Sequence, residues 1–354
     1  LQVVDQRGGG LIDQLGDRLD TLLDSTMMIP AAMVKLDEAH TALGQSAGEQ
    51  AVAGIRTVAR FGAVRTVLQC IYEEDFLGFS YGFRPHREPH QALDALAVAI
   101  TEKRVNWILD ADIEGFFDNI DREWLVKFLE HRIGDRRIVH LIQKWLNAGI
   151  IENTDWSDTG KGTPQGAILS PLLANVYLHY VFDLWLQQWR KRHAKGECYV
   201  VRYADDFVIC FEYESDAHTC LAALKDRLEK FGLSLHPDKT RLIEFGRGSA
   251  AKREREGRGR CETFDFLGFT HICGKTRKNK RFVLWRRTMA KRMSRTLAAI
   301  KVQLCRRRHD SVGTTGRWLA SVIRGWLQYH AVPDNMRRLD QFVVEVTKLL
   351  SLIH

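Results

Sequence analysis

The sequence predicts an α+β fold with its strands early and its helices late. Apolar, β-branched runs near 105–109 and 200–210 have the two-residue period of half-buried strands. Between them lie stretches with helical spacing. From about residue 288 onward only helical spacing is left, in three blocks at roughly 288–308, 314–331 and 335–353. A chain of 354 residues is long enough for two or three subdomains around a sizeable core.

Taken in order, residues 1–69 carry little pattern. "RGGG" and "GQSAGEQAVAG" read as loops, and Leu11, Leu15, Leu19 and Leu22 fall at helical spacing. "SYGFRP" at 80–85 reads as a turn entering a helix near 88–100. "RVNWILDADIEGFFDNID" at 104–121 opens as a strand. Val105, Trp107 and Leu109 share one face; Asn106, Ile108, Asp110 and Asp112 share the other. A helix with Trp124, Leu125, Phe128 and Leu129 follows. A second, with Ile138, Leu141, Ile142, Trp145 and Leu146, stops near Gly149. Ser170 before Pro171 predicts an N-cap and a first-turn proline, opening a helix that runs to about His193. The run 200–210 predicts two strands meeting at Asp205–Asp206. The next helix runs from Asp216 to Phe231 and is closed by Gly232.

Composition narrows the class. A hydrophobic content of 45% argues for a folded chain. No apolar run reaches the ~18 residues that cross a bilayer, and no secretory leader is visible, so no membrane partner is expected. The seven cysteines are scattered and form no CxxC pair, which points away from structural zinc and disulfides and toward a reducing, cytoplasmic setting. Charge is uneven. Residues 246–308 hold twenty Lys and Arg against four acids, a net of +16; the whole chain is +8, so the remainder is −8. Such a block suggests a polyanion partner, and the interleaved Phe264, Phe266, Phe269, Phe282 and Trp285 suggest that it folds.

The chemistry-bearing feature is "VVRYADDFVIC" at 200–210, where Asp205 and Asp206 interrupt a buried strand pattern. A carboxylate there is costly unless paired or bound to a cation. Adjacent strand residues point to opposite faces, so a third carboxylate is needed to complete a metal site, and Asp112 at the end of its own strand is the best candidate. "YADD" by itself fits equally a turn with two solvated aspartates.

Several ordered motifs together resemble the reverse transcriptases encoded by bacterial group II introns, over about residues 70–335. They are "SYGFRP" (80–85), "DADIEGFFDNID" (110–121), "GTPQGAILSPLLANVYL" (162–178), "YADD" (203–206), "GLSLHPDKTRLIEFGR" (232–247) and "FDFLGF" (264–269). The resemblance implies a right-hand polymerase architecture: a palm of antiparallel sheet with packed helices, fingers, and an all-helical thumb. It divides the chain into an N-terminal/fingers segment (1–69), a fingers–palm domain (70–270) and a basic thumb/maturase region (271–354), the last shorter than is usual for the family.

The resemblance also implies roles. Asp112 and Asp205 would be the main ligands of two Mg²⁺ ions, with Asp206 contributing less directly. Lys239 would lie near the triphosphate. Phe117 would stack under the incoming sugar and reject a 2′-hydroxyl; core packing is the other reading of Phe117 and of Phe116 beside it, and both cannot face the nucleotide. Gln165 and Gly166 would shape the nucleotide pocket, and Arg84 would touch template or primer. Lys275, Arg277, Lys278, Lys280 and Arg281, in a turn-rich stretch, would bind phosphates, as would Arg286, Arg287, Lys291 and Arg292 at helical spacing. The implied partners are deoxynucleoside triphosphates, an RNA template with a DNA primer, and the group II intron RNA itself.

One departure opens a second reading. Residues 26–69 contain nothing like the family's "RPLGIP" fingers run, as if that stretch were frameshifted or decayed. The first reading is an RNA-directed DNA polymerase; the second is a catalytically impaired RNA-binding maturase, or an inert remnant, of the same fold.

Overall fold

The computed structural model describes residues 62–147, 150–152, 155–157 and 169–353. Most of the atypical 1–69 segment, and Gln165 and Gly166, therefore lie outside the described residues. Helix α1 (residues 62–73) is followed by α2 (Pro89–Glu102), strand β1 (Trp107–Ala111), the single turn α3 (Phe116–Asn119), α4 (Arg122–Arg132) and α5 (Arg136–Asn147). A short hairpin of β2 (Ile150–Glu152) and β3 (Asp155–Ser157) precedes α6 (Ser170–Leu178). A π turn (His179–Asp183) leads into α7 (Leu184–Arg192). Then come β4 (Cys198–Tyr203), β5 (Asp206–Phe211), α8 (Glu214–Glu229), β6 (Arg241–Glu244) and α9 (Arg247–Arg255). The chain continues through β7 (Phe264–Phe266), β8 (Phe269–Lys275) and β9 (Phe282–Thr288) into α10 (Ala290–Arg306), α11 (Val312–His330) and α12 (Met336–Ile353).

Two compact units are present. The smaller takes residues 62–76, 130–147 and 169–173 with the hairpin at 150–157. Its helices bury Val64, Leu68 and Tyr72 from α1, and Val139, Ile142 and Leu146 from α5. Arg132 pairs with Asp75 at 2.5 Å.

The larger unit, residues 77–129 and 174–353, is built on an antiparallel sheet ordered β4–β5–β1–β6. The register is set by Leu109, which pairs with Ile209 on one side and Leu242 on the other. Ile108, Val208, Cys210 and Ile243 share a cluster with Ala92, Leu93, Leu96 and Ile100 of α2. Each such side chain contributes about 1.5–3 kcal/mol by leaving water. Pro89 opens α2, and the Glu88 amide donates to Gln91 Oε1 at 3.0 Å, so the helix start is capped. Phe207 and Phe211 meet Phe182 and Trp189 of the helical segments, with ring centroids 4.5 and 6.3 Å apart.

Three local expectations change. The helix expected from Ser170 to His193 is broken by the π turn at 179–183, which the uninterrupted apolar pattern hides. Its start also moves by one residue: the Leu169 carbonyl accepts from the Leu172 and Leu173 amides, so Leu169 and not Ser170 holds the cap position. The middle of the basic block folds as the meander β7–β8–β9 between α9 and α10, so Arg286 and Arg287 lie on a strand and not at helical spacing. The three C-terminal helices form as expected around Ile300, Leu304, Leu319, Trp326, Phe342 and Val346. There the Trp326 and Phe342 rings stack 3.6 Å apart.

His271 of β8 is fully buried, lies flat on Phe264 at 4.7 Å, and has no well-formed hydrogen bond at either ring nitrogen. Burial, then the charge of Arg286 across the strand pair, pushes its pKa down to about 3; burial pushes His330 down to about 4. Above about pH 6.5 these imidazoles are neutral in both folded and unfolded chains, so their full contribution to stability is present there. As pH falls below that value the unfolded chain takes up protons that the folded chain refuses. Stability then declines, by up to about 1.4 kcal/mol per pH unit for each group, until the folded pKa is reached. Thermal melts of wild type should therefore fall steeply between pH 6.5 and 4, and His271→Phe should flatten that slope; an unchanged slope would contradict the assignment.

Candidate active site

The carboxylates gather at one end of the central sheet. β1 and β5 pair antiparallel out to Ala111 opposite Phe207, and the next step outward carries Asp112 on one strand and Asp206 on the other. Asp110, two residues before Asp112, shares its face. β4 and β5 are joined by a two-residue turn, Ala204–Asp205, with Tyr203 paired to Asp206. The exit of β1 is pinned by the following loop. The Asp112 carbonyl accepts from the His236 amide at 2.8 Å, and Ile113 bridges Leu235. That loop carries Lys239, whose Nζ donates to Asp112 Oδ2 at 2.5 Å.

Proton affinities report the crowding. Loss of hydration raises the pKa of Asp206 to about 6, with the charges of Asp205, Asp112 and Asp110 adding and Lys239 opposing. Asp206 nonetheless keeps an open edge to solvent. Burial, helped by the charge of Asp112, also raises Asp205, while Arg202 and Lys239 oppose. Asp110 is raised mainly by burial, although Arg241 donates to its Oδ2 at 3.1 Å. Lys239 is held more firmly protonated by Asp112. Carboxylates that hinder one another's ionisation mark excess negative charge, which a divalent cation relieves.

Oxygen-only donors of this kind suit Mg²⁺, and the ammonium of Lys239 already sits on Asp112 as a cation would. Among the described residues, no three His, Cys, Asp or Glu side chains converge closely enough to cage an ion as they stand. The residue types fit magnesium, which Asp112, Asp205 and Asp206 would hold; Lys239 is seated on Asp112.

Phe116 is buried, whereas Phe117 is half-exposed and meets it edge-on at 5.3 Å. Arg84 differs from expectation. It is buried and donates to the carbonyls of Leu77 and Ser80, both at 2.8 Å, so it clamps its own loop and does not present a guanidinium to a nucleic acid. Arg286 also departs, being buried with Nη1 on Asp94 at 2.6 Å. Arg277, Lys278, Lys280, Arg281, Lys291 and Arg292 are exposed. Lys275 is exposed and paired with Glu254, and Arg287 lies over the Trp285 ring.

Sequence reading passed over the support behind the turn. Arg202 and Asp183 are fully buried and form a two-pronged ion pair, Nε to Oδ1 at 2.7 Å and Nη2 to Oδ2 at 2.6 Å. Gly82 lies against the turn so closely that a Cβ there would sit 2.3 Å from the Ala204 nitrogen. The signal was present as an arginine inside an apolar strand run.

The sequence model of the family described as reverse transcriptase (RNA-dependent DNA polymerase) matches residues 60–271, more than half of the chain. The chain belongs to this family. Among curated proteins, this reverse transcriptase is 46% identical over 125 residues to the group II intron-encoded protein LtrA of Lactococcus lactis subsp. cremoris, covering 35% of the chain and 20% of LtrA. It is 30% identical over 238 residues to the protein YkfC of Escherichia coli K12, covering 55% of the chain and 61% of YkfC. The chain thus spans about a fifth of LtrA and about three fifths of YkfC. A solved apo telomerase from Candida tropicalis is similar at 11% identity with a TM-score of 0.48, covering 84% of the chain and 55% of that one; this score is too low to build on. The mixed body of antiparallel sheet and helices is the right-hand polymerase fold of the family. No described helix is long and apolar enough to cross a membrane.

Proposed function

We propose that the chain is an RNA-directed DNA polymerase of group II intron type, acting in the cytoplasm with its intron RNA. The supporting observation is the clustering of Asp112, Asp205 and Asp206 at one sheet end with Lys239 on Asp112. In this reading β1 and β4–β6 form the palm, and α10–α12 form a helical thumb. Asp112 and Asp205 hold two Mg²⁺ ions, with Asp206 beside them. Magnesium, when bound, activates a primer 3′-hydroxyl and stabilises the leaving pyrophosphate. Lys239 leaves Asp112 for the triphosphate, where its ammonium offsets charge and can donate a proton. Phe117, partly exposed next to the acids in sequence, meets the sugar of a deoxynucleotide. Gln165 and Gly166 complete the nucleotide pocket. The exposed Lys275, Arg277, Lys278, Lys280, Arg281, Lys291 and Arg292 contact phosphates of the RNA template and DNA primer without base preference.

The missing fingers run at 26–69 favours a second reading, an RNA-binding maturase without polymerase activity. Primer extension on an RNA template, with deoxynucleotides and a magnesium titration, separates the two. The expected result is extension by wild type that EDTA abolishes. No extension at any magnesium concentration, with salt-sensitive binding of structured RNA retained, would overturn the first reading in favour of the second.

A further inference from the structure

We propose that Arg202 is a positioning residue that holds the Ala204–Asp205 turn in the shape that aims Asp205 and Asp206, an inference that rests on the metal-dependent polymerase reading. Arg202 lies on β4 with no exposed surface. Its guanidinium has five N–H donors, and every one is used. Nε and one Nη2 hydrogen go to Asp183. The other Nη2 hydrogen goes to Ser80 Oγ at 2.7 Å, and Nη1 donates to Asn175 Oδ1 at 3.0 Å and to the Ala204 carbonyl at 2.8 Å. The partners come from the π turn, the 79–82 loop, α6 and the hairpin turn itself.

The Ala204 contact distinguishes positioning from plain stability. Ala204 opens a two-residue hairpin turn with φ +57°. A positive φ at that position suits glycine, and a residue with a Cβ adopts it only under strain. Arg202 holds the carbonyl of this strained residue from one side. The loop in turn holds the strand two residues before it: the Tyr81 amide donates to the Arg202 carbonyl at 2.8 Å, and the Arg202 amide to the Phe79 carbonyl at 2.9 Å. Asn175 links the two sides, accepting from Arg202 and donating through Nδ2 to the Gly82 carbonyl at 2.7 Å. Apolar residues of similar volume usually stabilise a core at least as well as a buried ion pair. A fully satisfied guanidinium here is accounted for by the backbone it shapes, one and two residues before the metal-binding acids.

The test measures Mn²⁺ binding by electron paramagnetic resonance, alongside the Mg²⁺ dependence of primer extension. The variants are Arg202→Lys and Asn175→Ala, each with and without Ala204→Gly, and circular dichroism melts report folding. Lysine keeps the charge beside Asp183 but cannot reach Asn175, Ser80 and Ala204 together. Folded Arg202→Lys should bind Mn²⁺ about 10–100-fold more weakly, the usual loss when a metal ligand's support is removed. Ala204→Gly adopts the turn without strain, so adding it should recover most of that loss. Asn175→Ala keeps the Arg202–Asp183 ion pair together and should show the same loss and the same rescue, even where Arg202→Lys does not fold. Wild-type Mn²⁺ affinity in the folded variants, or a loss that Ala204→Gly does not recover, would overturn the proposal. Wild type that binds Mn²⁺ in this Arg202-dependent manner but extends no primer ends the polymerase reading and supports the positioning role. Wild type that binds no more Mn²⁺ than Asp205→Asn overturns both.

Discussion

Asp205→Asn and Asp112→Asn should each cut primer extension by about a thousandfold or more, which is about 4 kcal/mol of transition-state stabilisation. Asparagine keeps the shape of the side chain and removes its charge, so a loss of this size reports ligation and not packing. Asp205 already senses Asp112, whose charge raises the proton affinity of Asp205. Lys239 is predicted to respond differently in the two variants. In Asp112→Asn it loses the charge of the partner it holds at 2.5 Å, while in Asp205→Asn that ion pair is intact. Asp206→Asn should give a smaller loss than either, in line with its more open place at the hairpin. Single-turnover extension at saturating primer–template measures this directly. Near-normal rates in Asp205→Asn would remove the hairpin acids from the chemistry.

Asp183→Ala should lower the free energy of unfolding by about 3–5 kcal/mol, because it strands the fully buried Arg202 guanidinium without its counter-charge. Domains of this kind are stable by only about 5–15 kcal/mol, so the variant sits near the edge of unfolding. The double variant Asp183→Leu with Arg202→Met removes both charges and should be markedly more stable than Asp183→Ala alone. Urea denaturation of both, compared with wild type, gives the coupling. Equal stability of Asp183→Ala and wild type would mean that water reaches the pair. The double variant also divides two properties of one network: the positioning role requires it to bind metal poorly even where it folds well.

Much of this molecule could be read from its residues, and the exceptions have physical causes. The β-branched runs at 105–109 and 200–210 became β1, β4 and β5 because their apolar side chains recur with the strand period and have two faces to cover. Leu319, Trp326, Leu339, Phe342 and Val346 recur with the helical period and became the C-terminal helices. The YADD hairpin was legible because acids in an apolar strand demand a reason. Arg286 was misjudged for the opposite cause: it sits in a run of basic residues, and its partner Asp94 is 192 positions away, a separation no local pattern encodes. Arg84 was given a template or primer contact by resemblance alone, yet its own loop supplies two carbonyls that hold it inside. The π turn at 179–183 escaped because inserting one residue into a helix leaves the hydrophobic character of the run unchanged.

The close approach of Gly82 to Ala204 bears on how this gene can drift. A single methyl at position 82 would collide with backbone, which cannot step aside as a flexible side chain does. Two stretches that the sequence separates by more than a hundred residues are therefore one unit of selection. Any lineage that reshapes the hairpin must remodel the "SYGFRP" loop in the same lineage, and surviving descendants should show paired replacements there where single ones are purged.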